Sequence, residues 1–80
     1  MDIEINEKIK VGAVFENQLV KPRWFIWQNK KYQVKEITFT WKGKEGEAAL
    51  LHFSVTDGAN LYELCLNQKT LGWVLIKVNF

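Results

Sequence analysis

Apolar and polar residues alternate along most of this 80-residue chain, with the period of two that β-strands show. Residues 8–16 illustrate the pattern, because the lysines at the start fall on one face and apolar residues fall on the other: Ile9, Val11, Ala13 and Phe15. Helical spacing fits no comparable stretch. Apolar residues make up 48% of the chain, which argues against intrinsic disorder. The pattern predicts an all-β fold.

The stretch from Pro22 to Trp41 holds six of the eleven aromatic residues and predicts a β-hairpin. Asn29 tolerates a positive φ, so Asn29-Lys30 suits a two-residue turn. The resulting register places two pairs on a core face: Trp27 opposite Tyr32 and Phe25 opposite Val34. The other face then carries Trp24, Ile26, Lys31 and Lys35. A β-bulge near Lys35-Glu36 is expected to keep three later residues on the core face: Ile37, Phe39 and Trp41.

A second hairpin is predicted around Asp57-Gly58, which is a strong two-residue turn signal. The register that it implies pairs apolar residues on one face: Phe53 with Tyr62, Leu51 with Leu64 and Ala49 with Leu66. The opposite face then carries His52 opposite Glu63, and Cys65 opposite Leu50. Together the segments predict one domain over residues 1–80, a six-stranded antiparallel meander that curls into a small barrel, closed or partly open.

Several of these positions also form a spaced motif: Pro22, Phe25, Trp27, Tyr32, Val34, Ile37 and Trp41, then Tyr62-Glu63-Leu64 and Trp73. In this spacing, over residues 20–78, the chain resembles a bacterial family of small domains of unknown function. Family members often have glycine at the position of Asn29 and are richer in arginine. Some are encoded near error-prone DNA polymerases. The resemblance therefore implies a small all-β fold and a setting around DNA repair, but no mechanism.

Charge is unevenly distributed although the net charge is only +2. Residues 21–44 carry seven basic residues against Glu36 alone, a net of +6. The segments before and after them each carry two lysines against four acids, a net of −2. A one-sided block of this kind matters more than the total charge, because the local potential attracts polyanions.

No catalytic or metal-binding constellation is evident in the sequence. The chain has one histidine, His52, and one cysteine, Cys65, which the predicted register offsets diagonally with no third orienting group. Two such ligands do not make a zinc site, and no glycine-rich phosphate loop occurs. We therefore expect no enzymatic activity, cofactor or metal. The single cysteine, with no signal peptide or long apolar run, predicts a cytoplasmic protein without membrane attachment.

The basic aromatic hairpin is the one feature that suggests a binding surface, formed by Lys21, Trp24, Ile26, Lys30, Lys31 and Lys35. We expect a non-enzymatic binding or accessory module that contacts a protein partner or a second copy through this face or through an edge strand. The final strand, apolar on both faces, favours such an interface. The alternative is binding of single-stranded DNA or RNA, in which bases stack on Trp24 while lysines contact phosphates. A single arginine weakens this alternative.

Overall fold

A computed structural model describes all 80 residues and shows one antiparallel sheet without helices, which confirms the all-β prediction. It contains seven strands: β1 Asp2–Glu16, β2 Leu19–Trp27, β3 Lys30–Gln33, β4 Glu36–Glu45, β5 Ala48–Thr56, β6 Leu61–Asn67 and β7 Trp73–Asn79. The predicted number of six was wrong because the third predicted strand is divided at Val34-Lys35. Its two halves, β3 and β4, pair with different neighbours. No helix is present that could span a membrane.

The strand order is β3-β2-β1-β7-β6-β5-β4, so the sheet is not a simple meander. Pairing of β1 with β7 joins the two ends of the chain, while β3 and β4 form the two edges. The two residues Val34 and Lys35 connect the edge strand β3 directly to the edge strand β4. The amide of Val34 donates to Arg23 O (2.8 Å) on the β2 side, and the amide of Lys35 donates to Thr56 O (2.8 Å) on the β5 side. The edges approach one another there but do not pair further along. The sheet is therefore curled but not closed into a barrel.

The core lies on the concave face of this curled sheet. Its eight buried residues are Phe25, Phe53, Val55, Tyr62, Leu64, Leu66, Leu75 and Val78. The Phe25 ring stacks on Tyr32 at 5.0 Å between centroids and meets the edge of Tyr62 at 5.1 Å. Aromatic contacts of this kind add to the burial energy and hold the β2–β3 hairpin against the central strands.

Both predicted hairpins occur, but each has a register two residues away from the prediction. The first turn is Gln28-Asn29, with φ of 53° and 60°, as a type I′ turn requires. Phe25 therefore pairs with Tyr32. The second connection spans the four residues 57–60, so Phe53 pairs with Leu64. A shift of two residues leaves every side chain on its predicted face, because side chains alternate with the same period.

The predicted bulge in the third strand is displaced, and this changes the face of two aromatic side chains. The register shifts between Ile37 and Phe39, not near Lys35-Glu36. Ile37 packs against the core as predicted, whereas Phe39 pairs with Ser54 and Trp41 pairs with His52 on the outer face. Placing Phe39 and Trp41 in the core was therefore wrong. Phe39 is 64% exposed.

Candidate functional site

Three of the six predicted surface residues share the outer face of the sheet. Trp24 and Ile26 of β2 lie beside Lys31 of β3, since Ile26 pairs with Lys31. The sequence prediction missed two further lysines on this face. Lys10 of β1 pairs with Ile26, and Lys8 lies two residues before it on the same face. We call the five residues Lys8, Lys10, Trp24, Ile26 and Lys31 the outer basic patch.

The indole of Trp24 is half-buried rather than free in solvent. It lies on the backbone of Gly12, the residue paired with it on β1, so closely that a Cβ at this position would overlap the ring. The Lys31 ammonium lies over the ring, 4.9 Å from its centroid, in a cation–π contact. A base could stack on this ring only after Lys31 moved aside.

The other three predicted residues lie elsewhere. Lys21 is 3.5 Å from Glu16 in a partly exposed ion pair. Lys30 lies on the concave face with its ammonium 5.3 Å from the Tyr32 ring centroid. The Lys35 side chain passes over the β5–β6 loop, where its Cδ would be 3.0 Å from a Cβ at Gly58. The tertiary structure therefore does not gather the six residues into one surface.

A groove marks the place where the sheet fails to close. Continuing the β2–β3 register would bring Val20 opposite Ile37, but β4 turns away to pair with β5. The opening has a volume of about 500 Å³ and is lined by Gln18, Leu19, Val20, Lys21, Ile37, Thr40, Trp41, Lys42, Leu51, Phe53 and Gln68. We call this groove the seam. Its floor is formed by Leu51 and Phe53 of β5, which pack in the core.

The seam is bordered by two strand edges that have no neighbour. β4 pairs only with β5, so its other edge is free along its whole length. On the other side, residues 19–22 of β2 pair only with β1, because the β3 ladder covers Trp24 to Trp27. Such edges present unpaired N–H and C=O groups and can accept another strand.

Cys65, His52 and Glu63 form a cluster on the outer face, where the predicted register placed His52 opposite Glu63 and offset Cys65 diagonally from His52. The Cys65 sulfur is 4.0 Å from His52 Nε2, and His52 Nδ1 is 3.5 Å from Glu63 Oε2. His52 lies directly opposite Cys65, so the predicted diagonal offset was wrong. Its ring stacks on Trp41 at 5.1 Å, nearly parallel. Nδ1 is buried but has no close hydrogen-bond partner, since 3.5 Å is at the limit of such a bond.

The surroundings of Cys65 disfavour nucleophilic chemistry at its thiol. Burial raises the pKa of the Cys65 thiol, and the negative charges of Glu63 and Glu45 raise it further. A thiol with a raised pKa stays protonated at neutral pH, whereas the thiolate is the reactive form. Glu63 is also 3.7 Å from the Lys77 ammonium, so it is shared between two partners. No group of three or more His, Cys, Asp or Glu side chains is placed to hold a metal ion.

Comparison with protein-family models, with curated proteins and with solved structures finds no match to this chain. The resemblance to the bacterial family of small domains therefore stays a prediction that rests on the spacing of residues 20–78.

Proposed function

We propose that this chain is a non-enzymatic binding module that takes up an extended segment of a partner protein at the seam. The observation that carries the proposal is the free edge of β4 beside an apolar groove. Strand addition uses these two features together, because main-chain hydrogen bonds supply affinity and side-chain pockets supply selectivity. A cytoplasmic setting goes with the proposal, since a single unpaired cysteine suits a reducing compartment.

The apolar floor distinguishes this edge from that of an ordinary terminal strand. Leu51 is half-buried, and Val20 and Ile37 are half-buried on either side of it. An added strand would point every second side chain onto this floor. Contact between these side chains and the floor would stabilise the complex by about 25 cal/mol for each Å² of apolar surface removed from water. An added strand would therefore bury the apolar residues that incomplete closure of the sheet leaves half-exposed at the seam.

The test is a selection from a displayed library of random peptides, followed by an amide NMR titration with the peptides obtained. We expect shifts confined to residues 19–22 and 36–45. The control is the same peptide with alternate backbone nitrogens methylated, which keeps the side chains but removes the hydrogen bonds of one edge. Equal binding by the methylated peptide, or shifts that map to another surface, would contradict strand addition.

A second candidate function is binding of single-stranded nucleic acid, favoured because Lys8, Lys10 and Lys31 share the outer face with Trp24 and Ile26. Lys8 and Lys10 of β1 and Lys31 of β3 form a positive surface that phosphates could contact. Family resemblance would place such binding around DNA repair. The occupied Trp24 ring weighs against base stacking, so we rank this function second.

The nucleic-acid reading is tested by titrating the labelled protein with single-stranded DNA and RNA oligonucleotides at low and at physiological salt. Binding to phosphates predicts shifts at Lys8, Lys10, Trp24 and Lys31 that fade as salt increases, because counterions are released. The absence of shifts at both salt concentrations would rule this function out.

A further inference from the structure

The seam carries positive charge without a compensating carboxylate in its lining. Lys21 lies on the β2 side and Lys42 on the β4 side, and no Asp or Glu lines the groove. Lys42 and Lys44 form no salt bridge. Lys21 contacts Glu16, but both side chains are partly exposed, so the pair neutralises little of the charge.

The β4 side chains on the concave side change along the strand from apolar at its start to positively charged towards its end. Ile37, Thr40 and Lys42 pair with Val55, Phe53 and Leu51, so all three face the concave side. Lys44 follows with the same alternation. A strand lying beside β4 would therefore meet the apolar floor near Ile37 and ammonium groups towards Lys44. The side chains that this strand points to the concave side need to be apolar beside Ile37 and negatively charged beside Lys42 and Lys44.

Resting on the function proposed above, we infer that the seam selects an extended protein segment whose groove-facing side chains are apolar beside Ile37 and aspartate or glutamate beside Lys42 and Lys44. Acidic side chains would pair with Lys42 and Lys44 along β4, and Lys21 adds positive charge on the β2 side of the groove. Apolar side chains would contact Leu51 and Phe53 on the floor.

The same lysines disfavour pairing of neutral or basic strands with the free edge of β4. Lysines on an edge hinder unspecific pairing, because an incoming neutral or basic strand gains no compensating charge. A second copy that paired its own β4 edge about Gly43 would bring Lys42 and Lys44 against their equivalents. For an acidic segment, by contrast, the charge of these lysines is attractive. Selectivity therefore comes from charge, whereas strand addition itself comes from the free edge.

The experiment compares three blocked heptapeptides in which every second side chain can face the groove: the first two of these are valine, and the last two are glutamate, serine or lysine. Each is titrated into labelled protein at low salt up to millimolar concentration, and amide shifts are mapped. We expect the glutamate peptide to bind most tightly at residues 36–45, the serine peptide next and the lysine peptide least. Affinity for the glutamate peptide should fall several-fold at high salt, since exposed charges are screened.

Charge-reversed variants complete the test. Lys42→Glu and Lys21→Glu should each weaken binding of the glutamate peptide by about twofold to fivefold and strengthen binding of the lysine peptide. Lys8→Glu is the matched control, because Lys8 lies on the outer face away from the seam. It should leave the order of the peptides unchanged.

The outcomes separate the two proposals. Equal binding of all three peptides at the seam overturns selection by charge but retains strand addition. Binding of none of them at the seam overturns both. Concentration-dependent shifts of the seam amides without peptide would show that a second copy occupies the groove, which also overturns the acidic segment as its ligand.

Discussion

Trp24 lies flat on β1 because Gly12 has no side chain at the point of contact. Glycine in a strand weakens it, since it has no side chain to pack and more conformational freedom to lose. The indole covers the exposed backbone and offsets part of that cost. Trp24 and Gly12 therefore act as one packing unit on the outer face.

We predict that Gly12→Ala lowers the free energy of unfolding by about 1–3 kcal/mol, because the new methyl group must displace the indole. In a Trp24→Ala background the same change should cost less than about 0.5 kcal/mol, since alanine is otherwise the better strand residue. Urea denaturation of the four proteins of this double-mutant cycle measures both values. Equal losses in the two backgrounds would show that Gly12 is required for another reason.

At the scale of strands, the bulge between Ile37 and Phe39 decides which aromatic side chains enter the core. A bulge adds one residue to one strand and so reverses the faces of all residues beyond it. Phe39 is 64% exposed on the outer face, whereas Phe53 of the neighbouring strand is 2% exposed.

We predict that Phe39→Ala lowers the free energy of unfolding by less than about 1 kcal/mol, whereas Phe53→Ala lowers it by about 3–5 kcal/mol. The two substitutions remove the same atoms, so each is the control for the other. Denaturant unfolding monitored by circular dichroism is the measurement. Similar losses for both would place the bulge elsewhere in β4.

Asp57 organises the β5–β6 loop. Its carboxylate accepts hydrogen bonds from the amides of Ala59 and Asn60 (both 2.9 Å) and from the Tyr62 hydroxyl (2.8 Å). Burial by itself would raise the pKa of Asp57, but these hydrogen bonds outweigh burial and hold the pKa below its ordinary value of 3.8. Burial raises the pKa of Tyr62 to about 12, so its hydroxyl remains a donor at neutral pH.

We predict that Asp57→Ala lowers the free energy of unfolding by about 1–3 kcal/mol near neutral pH. Because the pKa of Asp57 is lower in the folded state, its contribution is present above pH 3.8 and is lost as the pH falls through the folded value. The difference between wild type and variant should therefore shrink below about pH 4. Urea unfolding between pH 2 and pH 7 checks this, and a constant difference would contradict it.

At the scale of the whole molecule, the open seam leaves β4 as the least supported long strand. β6 and β7 have neighbours on both sides, whereas β4 has one. Amides along an antiparallel edge strand point alternately to the neighbour and to solvent. Protection from exchange should follow the same alternation.

We predict that hydrogen exchange followed by NMR shows fast and slow amides in alternation along β4, and uniformly slow amides in the middle of β6. The slow β4 amides are an internal control, because they report the stability of the strand itself. Uniform protection along β4 would mean that the seam is closed in solution.

Periodicity in the sequence determined which face each residue of the two hairpins occupies, because this depends on whether a position is odd or even and not on register. Phe25, Trp27 and Tyr32 were therefore assigned correctly to the concave face, and Trp24, Ile26 and Lys31 to the outer face. The registers themselves were wrong by two residues, since Asn29-Lys30 and Gln28-Asn29 satisfy the same pattern with different turns.

Only the tertiary structure decided the contacts between segments distant in the chain. Pairing of β1 with β7, the placement of Lys10 beside Ile26, and the contact of Cys65 with His52 all depend on strand order or loop length. A local pattern does not encode these, because the free energy that selects them comes from packing the whole concave face. The seam belongs to the same class: its residues are ordinary strand residues, and it exists because β4 leaves β2 to pair with β5.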